Sequence, residues 1–353
     1  MTVPSKEIQK TVASLLKVLS PRNKDIISRR FGLKNGIKET LESIGKGYGI
    51  TRERVRQIEE ASVNQLSKHA KESQMVAPYV ALANNLIESN HGVLKERDLF
   101  HSFSGQDGET VANASLVFLL ALSEGLVRLP ENDTYHSFWA GNKESLEAFK
   151  NTTSSLISTL KKVDQTVHEN DFSMLAQKSE VPSFAHPGRP IAEEEINAIL
   201  SISKEIDKNI FNEVGLAAWP EVKPKGVKDK AYLVLKKEKN PKHFTDIAKL
   251  INAMGFSGRK ANTQTVHNEL IKDARFILVG RGMYALSEWG YKSGTVKEVL
   301  VDILQNTSKP VPKAALMAKV LDTRMVKENT VLLNLQDAKT FIRHEDGSYS
   351  LKK

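Results

Sequence analysis

The spacing of apolar positions predicts the elements before any motif is considered. Between residues 6 and 19, Ile8, Val12, Leu15, Leu16 and Leu19 recur at helical spacing and form one apolar stripe on a polar helix. Ser20-Pro21 reads as an N-cap with proline at the first helical position, so a second helix starts there. It carries Ile26, Ile27, Arg30 and Phe31 and stops at Gly32. After the turn "NGIKE", Thr40 can cap a short helix that turns Leu41, Ile44 and Tyr48 inward, and Gly49 suits the left-handed position that ends it. Thr51 is the cap expected for the next helix, on which Val55, Ile58, Ser62 and Leu66 share one face. Short helix, glycine turn, second helix is a helix-turn-helix pattern.

The polar face of that last helix is mixed in charge. Arg52, Glu53, Arg56 and Gln57 fall within an arc of roughly 140°, in the first turn and a half. This is the part of a recognition helix that enters the major groove. Arg can read guanine through two hydrogen bonds, Gln can read adenine, and Glu can accept from the cytosine amino group. A helix that only bound phosphate would be mostly Lys and Arg. The competing reading is a solvated face held by pairs at i, i+4, and Glu53–Gln57 and Arg56–Glu60 have that spacing.

Farther on, the pattern repeats. "TVHNELIKDARFILVGRGMYAL" (265–286) and "TVLLNLQDAKTFIRHEDGSYSL" (330–351) share eight residues at an offset of 65, including Leu270/Leu335, Phe276/Phe341, Gly282/Gly347 and Tyr284/Tyr349. Val234/Val299 and Leu235/Leu300 extend the same frame. Each copy reads as three helices, a strand, a glycine turn and a strand, which is a winged helix. Two weaker copies precede them, ending in "GLVRLPENDTYHSFWA" and "NIFNEVGLAAWPEV", with Trp139, Trp219 and Trp289 at similar places in the closing strands. The fold class expected is mainly α: a helix-turn-helix at 1–72, then a tandem array of winged-helix units, each α with a small β-hairpin, at 75–141, 152–222, 228–291 and 295–353. "PSFAHPGRPIAE" (182–193) reads as a Pro/Gly loop and "PEVKPKGVKD" (220–229) as a basic hinge.

Residues 29–66, "RRFGLKNGIKETLESIGKGYGITRERVRQIEEASVNQL", closely resemble region 4 of primary-type bacterial sigma factors. "RFGL", "TLESIG" and "TRERVRQIE" carry the likeness, which extends over roughly residues 5–70. That module binds the promoter −35 element and docks on RNA polymerase. The resemblance implies base contacts by Arg52, Glu53, Arg56 and Gln57, and phosphate contacts by Lys46, Thr51 and Arg54. A full sigma factor also carries an aromatic-rich region that melts the −10 element. None is recognisable here, so unaided promoter opening is not expected. Residues 228–291 resemble the HARE-type winged helix, related to the amino-terminal domain of the polymerase delta subunit. For that unit, DNA contact would fall to helix residues Asn262, Thr263, Gln264, His267 and Asn268, to the basic Arg259 and Lys260, and to wing residues Arg275 and Arg281. The alternative is that the winged helices are adaptors that bind polymerase or one another, with no base readout. The last unit, with "RHEDGSY" at its wing and "VLLNLQ" in its helix, suits protein contact or packing better.

Composition narrows the rest. Net charge is +9, with 51 Lys plus Arg against 42 Asp plus Glu, which favours a polyanionic partner such as double-stranded DNA. Without cysteine there is no disulfide, thiol nucleophile or Cys-based zinc site. The polar start and a longest apolar run of "ASLVFLLAL" (114–122) leave no signal peptide or membrane span, so a cytoplasmic, nucleoid-associated protein is expected. No phosphate-binding P-loop or HExxH spacing occurs, and "GRGMY" (280–284) reads as a wing turn. Neither an enzyme, nor a cofactor, nor a metal, nor a small-molecule substrate is called for.

Overall fold

The computed structural model describes residues 5–256, 258–291, 293–307 and 309–352. Its backbone forms two compact units, Met1–Ala218 and Trp219–Lys353, so the chain divides immediately before the basic stretch 220–229. The first unit opens with α1 (Ser5–Leu15), a single 3-10 turn, α2 (Pro21–Phe31), α3 (Leu41–Tyr48) and the 22-residue α4 (Arg52–Ser73). Ser20 caps α2 with Pro21 at its start, and Gly32 ends it in the left-handed conformation (φ 71°).

Four runs of one topology follow, each helix, strand, helix, helix, strand, strand. The first comprises α5 (Ala77–Glu88), β1 (Val93–Lys95), α6 (Glu96–Ser104), α7 (Val111–Ala121), β2 (Val127–Leu129) and β3 (Phe138–Ala140). Next come α8 (Lys143–Val163), β4 (Val167–His168), α9 (Glu169–Lys178), α10 (Glu193–Ile202), β5 (Ile206–Lys208) and β6 (Glu213–Leu216). The second unit holds α11 (Val227–Glu238), β7 (Lys242–His243), α12 (Phe244–Ala253), α13 (Thr263–Lys272), β8 (Phe276–Gly280) and β9 (Met283–Leu286). It ends with α14 (Val296–Gln305), β10 (Val311–Pro312), α15 (Lys313–Thr323), α16 (Glu328–Leu335), β11 (Phe341–Arg343) and β12 (Ser348–Leu351). In all four sheets the last strand lies in the middle, antiparallel to both neighbours, which is the winged-helix arrangement.

Several sequence expectations need correction. Every unit has a short strand between its first two helices that the pattern did not reveal, because two or three residues cannot show a period of two. The second unit of the array begins with α8 at Lys143 and not at 152. Its "NTTSS" looks like a break, yet Thr153, Ser154 and Ser155 each donate to the carbonyl four residues back at 2.8–3.1 Å, so the helix runs through. The uniform offset of 65 also fails at the front of the repeat. The caps Gly226 and Thr295, and the strand starts Lys242 and Val311, are each spaced by 69. The shift arises because the connection from α12 to α13 is longer than that from α15 to α16. Four residues are about one helical turn, so Val234/Val299 and Leu235/Leu300 matched while lying one turn out of register. Trp139 sits inside β3, whereas Trp219 and Trp289 each lie three residues beyond a closing strand.

The helix-turn-helix and the first winged helix share one core, which crosses the boundary placed near 72–75. α7 is buried on nearly all sides, and such a helix needs cover on every face. Ile8, Val12, Leu15 and Leu16 of the amino-terminal segment pack in one cluster with Leu116–Leu120 of α7, Ala83 and Ile87 of α5, and Trp139. Phe31 meets Phe118 edge-on at 5.0 Å. A Cβ on Gly36 (φ 83°) would come within 2.9 Å of the Glu109 carbonyl, so backbone lies on backbone there. In the next winged helix, the fully buried Glu195 accepts at 2.9 Å from Ser183 Oγ and from the amides of Phe184, Ala185 and Ala192. That single carboxylate fixes the 182–193 loop. In the second unit, the Met325 amide donates to the Val279 carbonyl at 3.0 Å, joining the two duplicated units.

Candidate nucleic-acid interface

The turn between α3 and α4 is closed by backbone. Gly49 (φ 64°) donates to the carbonyls of Gly45 and Lys46, and Ile50 donates to Gly45 at 3.0 Å. A Cβ on Gly45 would meet the Ile50 carbonyl at 2.7 Å, so both glycines are required. Thr51 Oγ1 accepts from the Arg54 amide at 3.2 Å and starts α4. Thr51→Ala should therefore lower stability by about 1 kcal/mol, read as a shift in the denaturation midpoint at constant slope.

Ile26, Ile44 and Val55 form the small core under this turn, with Leu41, Tyr48, Ile50 and Ile58 around them. Ion pairs then fix the angle of α4. Arg30 donates to both carboxylate oxygens of Glu59 at 3.1–3.2 Å and to the Glu39 carbonyl at 3.1 Å. Arg29 donates to both Glu39 carboxylate oxygens at 2.7–2.9 Å. Asp25 accepts from Lys34 and from Tyr48 Oη at 2.7 Å, and these donors hold its carboxyl below the usual carboxylate range. The sequence pattern missed these braces, since partners 9 to 29 positions apart fall outside the spacing of one helix and leave no local signal.

Lys46, Thr51, Arg52, Glu53, Arg54, Arg56 and Gln57 are all exposed. In the free protein they pair among themselves. Arg56 donates to Glu53 at 2.9–3.1 Å and to Glu60 at 3.2 Å, and Arg54 donates to Gln57 at 3.0 Å. Arg56 holds Glu53 below its usual carboxylate range, and Glu53 in turn raises the Arg56 guanidinium. Lys46 lies 3.9 Å from Glu42. Of the two i, i+4 pairs foreseen as the competing reading, Arg56–Glu60 forms, whereas Glu53 and Gln57 pair instead with Arg56 and Arg54 at i, i+3, all on side chains that water and a ligand can both reach. Such exposed pairs hold weakly and exchange readily.

Among the winged helices the third helices differ. α7 is core and offers no face. α10 begins with Glu193, Glu194 and Glu195, a first turn that repels phosphate. α16 begins with Glu328 and continues in leucine. α13 alone among the four has an uncharged polar first turn. There Gln264 is exposed and donates to Asn268 at 3.2 Å, while Asn262 is the helix cap, accepting from the Gln264 amide at 2.8 Å. Arg259 and Lys260 are exposed before the cap, and Arg281 is exposed at the wing tip. His267 is half-buried, stacked 4.4 Å from Phe244 and 6.0 Å from Tyr284. Arg275 is not available at the wing. It donates to Asp273 at 2.7 Å and Asp229 at 3.0 Å and covers the Tyr232 ring, so it braces the fold. Among the described residues no cluster of metal-binding side chains occurs, and no helix is long and apolar enough to cross a membrane.

Residues 15–68 match the protein family described as Sigma-70, region 4. The chain is similar to RNA polymerase sigma factor SigA1 of Synechococcus elongatus, at 36% identity over 73 residues, covering 21% of this chain and 18% of that protein. RNA polymerase sigma factor SigA of Clostridium acetobutylicum is also 36% identical over 73 residues, covering 21% of this chain and 19% of that protein. The chain spans less than a fifth of the length of these relatives.

Proposed function

We propose that the protein is a DNA-binding transcription regulator that acts with RNA polymerase and reads a short promoter element, of −35 type, in the major groove. One observation carries this reading: the exposed set Arg52, Glu53, Arg56 and Gln57 stands on the first turns of a capped, braced helix inside the segment that matches sigma region 4. Arg52 and Arg56 supply bidentate donors for guanine, Gln57 suits adenine, and Glu53 accepts from cytosine. Thr51 and Arg54 at the helix start, with Lys46 on the preceding helix, face the phosphates. In this reading the protein binds and performs no chemistry of its own. It works in the cytoplasm, on the nucleoid.

The third winged helix, resembling the HARE type, supplies a second and less specific contact through Arg259, Lys260, Gln264 and Arg281. His267 acts there by supporting α13. A second reading has the array serving as a polymerase accessory through protein contacts alone. It draws on the three third helices that are buried, acidic or leucine-rich.

Selection of sites from random duplex DNA by the full chain, beside Arg52→Ala/Arg56→Ala, separates the two. A motif that blurs in the double variant supports base reading by α4. Absence of any motif with either protein would sink it in favour of the accessory. A motif kept by the variant would move the reading to the winged helices.

A further inference from the structure

The last winged helix has a cleft at a place its duplicate fills with its own side chains. In the third unit Phe244, the first residue of α12, stacks on His267 of α13, and His267 meets Tyr284 of β9 edge-on. The corresponding residues of the fourth unit are Lys313, the first residue of α15, with Leu332 of α16 and Tyr349 of β12. Replacing the Phe–His stack by Lys and Leu removes the plug. A cleft of about 360 Å³ opens there, lined among others by Lys313, Leu332, Leu335, Phe341, Arg343 and Tyr349.

Leu335, Phe341 and Tyr349 are buried beneath it, and the half-buried Leu332 gives it an apolar wall beside the polar side chain of Gln336. Its rim is cationic, with Lys313 and Arg343 exposed and Lys352 reaching the neighbouring Ala338 carbonyl at 3.4 Å. Among the described residues no carboxylate lines it, and nearby Asp337 is engaged by Lys297 at 2.5 Å. A duplex lying along helix and wing together would meet Glu328 at the start of α16 and Glu345 and Asp346 at the wing tip. A short peptide seated between Leu335 and Arg343 need not.

We propose that this cleft takes an aromatic side chain from an acidic segment of a protein partner, which supplies from outside the ring that the third unit supplies from within. The ring packs on Leu332, above the buried Leu335 and Phe341, and the flanking carboxylates meet Lys313, Arg343 and Lys352. The fourth unit is thereby a peptide-docking module, independent of DNA reading by α4.

The test is fluorescence anisotropy of the full chain with a labelled nonapeptide, one phenylalanine centred among aspartates and glutamates. Binding should weaken about tenfold or more when the peptide phenylalanine becomes alanine. It should weaken similarly in Lys313→Phe/Leu332→His, which restores the plug of the third unit, and in Arg343→Glu, with unchanged helical circular dichroism in both. Arg56→Ala should leave it untouched. No binding up to about 1 mM peptide would overturn the proposal. So would equal binding of the alanine peptide, indifference to the restored plug, or displacement of the peptide from the Arg56→Ala chain by a short random-sequence duplex.

Discussion

Phe118→Ala should lower the stability of the Met1–Ala218 unit by about 3–5 kcal/mol and loosen the helix-turn-helix together with the first winged helix. Phe118 is fully buried in α7, and its ring meets Phe31 from the end of α2 at 5.0 Å. Truncation leaves a cavity at the seam where the two modules share a core, so neither side can repack without the other. Hydrogen exchange provides the measurement. Amides of α2 and α4 should lose protection in step with those of α5 and α7. Retained protection in α4 beside exchange in α7 would mean that α4 and its turn fold on their own. Ile44→Ala is the useful contrast. Ile44 belongs to the small cluster with Ile26 and Val55, so its loss should act first on the turn that sets α4.

That shared core marks where the sequence was and was not legible. Caps, glycine turns and i, i+4 stripes placed the first four helices, because Ser20, Thr40, Thr51, Gly32 and Gly49 act through their immediate neighbours. The exposed polar face of α4 was legible for the same reason, its geometry following from helical period alone. Long-range consequences were hidden. "ASLVFLLAL" stood out as the longest apolar run, but nothing in it showed that α1 would cover one side of it. Arg275 carried the charge expected of a wing residue, and only folding brought Asp229, 46 positions away, against it. The duplication was found from identities at the wings, while the loop-length change before α13 and α16 displaced the first helices by a turn that an amphipathic pattern conceals. The cleft of the fourth unit follows from that corrected register, since only at a spacing of 69 does Lys313 stand where Phe244 does.

On the site enriched by selection, Arg52→Ala/Arg56→Ala should lose the preference for the cognate sequence by about ten- to hundredfold or more, while binding to scrambled duplex falls far less. The free-state pairing adds a sign that a purely basic surface would not show. Arg56 is held by Glu53 and Glu60 before any base is met, so contact with guanine exchanges two carboxylates for the purine edge. Glu60→Gln removes one competitor and should tighten cognate binding about two- to fivefold. Glu53→Gln combines two changes, because Glu53 releases Arg56 but is itself a candidate reader, so its effect should depend on the base at one position. Lys46→Ala should weaken all sequences alike and reduce the slope of log affinity against log salt by about one. Titrations at two salt concentrations separate these outcomes. If Glu60→Gln and the double arginine variant changed cognate and scrambled duplex by the same factor, as Lys46→Ala is expected to do, α4 would be a phosphate-binding surface and the mixed charge on its first turns would serve only the helix.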